Sequence, residues 1–134
     1  MKRLTSINYS NTAFNIGMLL LRVTSGALIL VHGYDKLVKF GQMKSQFIDF
    51  MGIGSSLSLS LTIFAEFFCA IFLIVGLFTR LAVIPLIINM SVALIMAHNS
   101  DVFGEGEKAT LFLVAFVTIL FNGPGKISVD GMIK

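Results

Sequence analysis

The chain has 134 residues, of which 56% are hydrophobic and only 13% charged, and its mean hydropathy is +0.91. Soluble domains carry about 25% charged residues, so this composition excludes an ordinary soluble domain and predicts an integral membrane protein of one domain over residues 1–134. The net charge of +3 is scattered in short segments with no basic run suited to nucleic acid, and the single cysteine, Cys69, excludes an internal disulfide or a Cys-x-x-Cys pair.

Lys2 and Arg3 precede the first apolar run, 14–31, as they would in a signal peptide. Arg22 interrupts that run and no small-x-small cleavage site follows, so the run reads as a retained first helix. The connection from His32 to Ser56 is too long for a simple turn. Its apolar residues Phe40, Met43, Phe47, Ile48, Phe50 and Met51 recur at helical spacing, which predicts an amphipathic interfacial helix. Gly52, Gly54, Ser55 and Ser56 break it. A second span follows at 57–78, and the short turn from Leu77 to Arg80 makes the third span, 81–97, its antiparallel neighbour. A fourth span, 105–121, reaches the required length of about 20 residues only with its polar start, Glu105 to Lys108. Asn122-Gly123-Pro124-Gly125 then stops it. The expected fold is an all-α membrane four-helix bundle with an interfacial helix between spans one and two.

Cytoplasmic loops carry an excess of Lys and Arg. Lys2, Arg3, Arg80, Lys126 and Lys134 fall on the side of both termini, against Lys36, Lys39, Lys44 and Lys108 opposite. This small excess places both termini in the cytoplasm.

Two groups of polar residues stand out. Arg22 and Glu66 lie inside apolar runs, where a charge at mid-helix costs about 2.5–3.5 kcal/mol on insertion scales and so turns inward to a partner. Arg22 shares a helical face with Ser25, Gly26 and Gly33, and Glu66 shares one with Thr62, Cys69 and Ala70. Small and polar stripes of this kind mark helix contacts. With Asn89 at similar depth, these residues form a candidate intramembrane polar core in which Arg22 and Glu66 pair. That core serves either as a structural lock or as a proton or ligand site. The second group, His32, Lys36, His98 and Glu107, falls at the opposite ends of spans one, three and four. It is the candidate ligand or proton site, where histidines and carboxylates suit a proton relay, metal ligation or a clamp on a quinone head group, or else a set of ordinary interfacial residues at naturally polar loop ends. No metal site is assigned. Cys69 reads as a packing residue.

The ordered set Leu21-Arg22 with Gly26, His32-Gly33 and Lys36, Ala65-Glu66, Gly76-Leu77, Thr79-Arg80, His98, Glu107, and Gly123-Pro124-Gly125-Lys126 with Ser128 and Asp130 resembles the DoxX family of four-helix bacterial membrane proteins. The resemblance covers about residues 16 to 131. It implies a bacterial inner-membrane subunit associated with respiratory or thiol redox chemistry. A quinone or similar small amphipathic molecule is then the candidate ligand, and the lipid bilayer, a redox partner protein and further copies of the chain are the candidate partners. Such a chain is expected to work as a subunit of an oxidoreductase system, since its side chains offer no redox centre of their own. The alternative is a non-catalytic assembly, scaffold or small-solute transport component.

Overall fold

The computed structural model describes residues 4–47, 49, 52–97, 101, 103–104 and 106–133. Among these residues the secondary structure is helical, without strands. Helix α1, Asn11–Val38, begins where the Ser10 side chain accepts a hydrogen bond from the Ala13 amide at 3.0 Å, satisfying one of the donors left open at a helix start. Its buried stripe is Met18, Arg22, Ser25, Gly26, Ile29 and Gly33, a spacing of three and four that keeps one face inward. Leu20, Leu28 and Val31 on other faces are exposed, as expected where the solvent is hydrocarbon.

After α1 the described connection forms one helical turn, α2, Phe40–Met43. The expected amphipathic helix is not seen beyond that turn, although Ile48, Phe50 and Met51 lie outside the described residues. The Ser55 hydroxyl donates to the Lys44 carbonyl at 2.6 Å, and Asp49 accepts from the Gly54 amide at 2.7 Å. The first of these side-chain bonds ties the start of the next helix back to the end of α2.

The second long helix runs from Ser55 to Val75 as α3, Ser55–Ile63, a π segment, Phe64–Cys69, and α4, Ala70–Val75. Gly76 ends it in the left-handed conformation, with the Leu77 amide donating back to Phe72 at 3.0 Å, a glycine-dependent helix stop. Helix α5, Thr79–Val92, contains Pro85 and continues into a second π segment, Ala93–Ala97. Helix α6, Glu107–Asn122, packs along α5 and against α1. A final turn, α7, is Val129–Ile133.

Three helices are long and apolar enough to cross a membrane: Asn11–Val38, Ser55–Val75 and Thr79–Met96. At 1.5 Å per residue the 16 residues of α6 extend about 24 Å, short of the roughly 30 Å hydrocarbon layer.

Two glycines set the stagger between α1 and its antiparallel neighbour. A Cβ on Gly26 would lie 2.7 Å from Ile74, and one on Gly33 would lie 2.5 Å from the backbone carbon of Glu66. The helix backbones therefore touch at both points, as small residues permit in membrane bundles. Gly33 is level with Glu66, and by the same stagger Arg22 is level with Gly76, at the end of α4.

Candidate functional site: a buried carboxylate beside an apolar cavity

The stagger separates the two charges expected to pair. Arg22 and Gly33 are eleven residues apart, or about 16 Å along α1, so Arg22 sits near one end of the bundle and Glu66 sits deeper. The Arg22 guanidinium instead donates to backbone carbonyls: from Nη1 to Pro124 at 2.8 Å and Ile127 at 3.1 Å, and from Nη2 to Ile127 at 3.0 Å and Ile74 at 3.4 Å. Its residue exposure is 1%. The Asp130 carboxylate adds a favourable charge interaction and accepts from the Phe78 and Thr79 amides at 2.8 and 2.9 Å. It thereby caps α5 and holds Phe78, whose φ is +50°, in a conformation that L residues seldom adopt. The residues around Arg22 form a lock that ties the segment after α6 to the ends of α4 and α5.

Glu66 finds different partners. Its Oε1 accepts from Lys36 Nζ at 2.5 Å, and its Oε2 accepts from Asn89 Nδ2 at 2.7 Å. Three long helices contribute one residue each. Glu66 is 3% exposed, so both oxygens need these donors, since burying a carboxylate without them is costly. It lies in the π segment Phe64–Cys69, and such insertions often occur at functional sites. Lys36 is half-buried, with its side chain 22% exposed.

A cavity of about 460 Å³ opens beside this triad. Lys36, Glu66, Asn89 and Thr62 supply polar wall, while Leu61, Phe64, Ile88 and Val92 supply apolar wall. Pro85 also faces it; the proline lacks an amide donor and so leaves a gap in the α5 hydrogen-bond ladder at the cavity's edge. A pocket of this size, mostly apolar with a few convergent polar groups, has the form of a small-molecule site.

Residues 17–99, more than half of the chain, match the family model DoxX. The chain belongs to the DoxX family. Neither the curated proteins nor the solved structures yield a match. In this DoxX protein the lock residues from Gly123 to Asp130 lie beyond the matched stretch, yet Arg22 and Thr79 within it hold them.

The residues expected at an outer site separate in the DoxX structure. Lys36 turns to Glu66, whereas His32 is exposed and meets Phe112 of α6 edge-on, with ring centroids 6.4 Å apart. Glu107 is exposed in the first turn of α6. His98 lies outside the described residues. Among the described residues, no group of three His, Cys, Asp or Glu side chains is placed to hold a metal. Cys69 is buried and free. Lys36, expected with His32, His98 and Glu107, stands instead with Glu66 and Asn89. The available signal was its position fourteen residues after Arg22, which returns it to nearly the same helical face.

Proposed function

We propose that this DoxX protein is a bacterial inner-membrane subunit, with four spans and both termini in the cytoplasm, that holds a small amphipathic ligand such as a quinone for a redox system. The observation that carries this reading is the apolar cavity ending on the Lys36, Glu66 and Asn89 triad. Lys36 donates a hydrogen bond to an acceptor oxygen of the ligand head and so orients it. Glu66 fixes the position of Lys36, and Asn89 fixes Glu66. His98, which lies outside the described residues, is the group proposed to exchange protons with the site. Electrons come from a partner protein, because none of the described side chains that line the cavity is redox active. His32 and Glu107 take no direct part.

Mass spectrometry of small molecules retained by the protein in mild detergent tests the proposal. An amphiphile should be enriched with wild type and depleted with Lys36→Met. Equal retention by both proteins, or none by either, favours the alternative, in which the triad only fastens three helices and the chain serves as an assembly or transport component. That alternative draws on the saturation of Glu66, whose two oxygens are already occupied within the protein.

A further inference from the structure

The cavity beside Glu66 lies between the second and third long helices. Leu61, Phe64 and Ile88 border it and are 51%, 50% and 55% exposed. Each sits well inside a helix long and apolar enough to cross a membrane, so the medium they face is hydrocarbon. On the connecting side, Phe47 of the segment after α2 lines the cavity and is half-buried. The apolar edge is thus open toward lipid, while the Phe47 side chain forms part of the wall on the side of the connection.

The polar end has a definite remaining capacity. An ammonium has three donors, and among the described residues Lys36 uses one, on Glu66. Asn89 likewise gives one N–H to Glu66, which leaves a second donor and its carbonyl oxygen. The Lys36 and Glu66 charges cancel. An anionic head group would therefore bring an uncompensated charge into a low-dielectric site, at a heavy desolvation cost. A neutral head with hydrogen-bond acceptors brings none.

We infer that the cavity is entered sideways from the bilayer, through the cleft bordered by Leu61, Phe64 and Ile88, and that it admits neutral, lipid-soluble molecules whose polar end accepts hydrogen bonds from Lys36 and Asn89. This deepens the proposed ligand-binding role by naming the route and the ligand class, and the route is tested without any natural ligand.

Carbodiimides provide the probe, because they differ in solubility but share one chemistry. The reagent's central carbon bonds to an oxygen of the protonated carboxyl, and the carboxyl proton moves to a reagent nitrogen, giving an O-acylisourea. Attack by a neutral Lys36 amine then forms an amide C–N bond, breaks the acyl C–O bond and expels a dialkylurea, so the protein loses one water. Proton transfer from the Lys36 ammonium to the Glu66 carboxylate supplies both reactive forms.

In bilayers, apolar dicyclohexylcarbodiimide should join Glu66 to Lys36 or leave an acylurea on Glu66. A water-soluble cationic carbodiimide should react at exposed Asp101 and Glu107 and spare Glu66. Ile88→Trp, which narrows the cleft, should slow the apolar reaction severalfold, and if that variant does not fold, the reagent comparison on the native chain still decides. Reaction of Glu66 with the water-soluble reagent as fast as Glu107, or with neither reagent, overturns lateral entry. Loss of quinone-analogue binding with the expected carbodiimide pattern intact would refute the redox reading and leave the route standing.

Discussion

Glu66 and Arg22 are both nearly sealed from solvent, yet their environments ask different things of them. Arg22 spends the donors of its two terminal nitrogens on peptide carbonyls that do not titrate, and these partners lie on the chain segments it fastens. Glu66 faces a titratable lysine, an amide that can reorient and an open cavity. Only the second arrangement can alter its bonding when a ligand arrives. Removing one member of a buried ion pair costs about 3–5 kcal/mol, while removing both is much milder. Lys36→Met and Glu66→Leu should each lower detergent-unfolding stability by that order, and the double variant should recover part of the loss. Arg22→Leu combined with Glu66→Leu should instead show additive losses, because the two share no partner. Recovery of stability in the Arg22 and Glu66 double variant, read in the same unfolding assay, would argue that they are coupled after all. The sequence made both charges conspicuous as interruptions of apolar runs. It did not show which cation meets Glu66, since Arg22 and Lys36 lie on nearly the same face of α1 and the choice depends on how far one helix slides past the other.

The stagger that makes this choice belongs to the helices. Gly33 has no room for a methyl group against the Glu66 backbone, and Gly26 crowds Ile74. Gly17, in the same helix, has nothing within 4 Å of an added Cβ. Gly33→Ala should separate α1 from the π segment and pull Lys36 away from Glu66, which predicts a marked loss of folded yield. Gly17→Ala should be neutral or gain about 0.5–1 kcal/mol, the usual benefit of alanine inside a helix. Thermal unfolding of the two variants side by side checks the pair, and equal behaviour would mean that the glycine contacts do not set the register. The long helices were legible in the hydropathy pattern to within a few residues at most ends. The π segments were not, because a single extra residue in a turn leaves almost no trace in apolar spacing. Nor were the bonds by which Ser55 and Asp49 tie the described connection after α1 to the backbone, which depend on side-chain placement and not on apolar spacing.

Across the whole molecule the structure changes the charge tally that bears on orientation. Lys36 is paired inside the protein, so the side opposite the termini keeps three loop cations, Lys39, Lys44 and Lys108, against the five of the terminal side. Cytoplasmic termini remain the proposed orientation. Single cysteines at Ser6, Ser45, Asp101 and Met132 in a Cys69→Ser background should react with an impermeant reagent in intact cells only at the positions of Ser45 and Asp101. Opposite labelling of the two termini would mean an odd number of spans. On the proposed function, ligand binds at the Glu66 triad and the Arg22 lock is architectural. Titration of purified protein in lipid nanodiscs with a short-tailed ubiquinone analogue tests this division most directly. Binding should be present in wild type, lost in Lys36→Met and Asn89→Leu, and retained in Asp130→Asn and His32→Ala. Binding that survives in both triad variants, or that disappears with Asp130→Asn or His32→Ala while the helices stay folded, would contradict it.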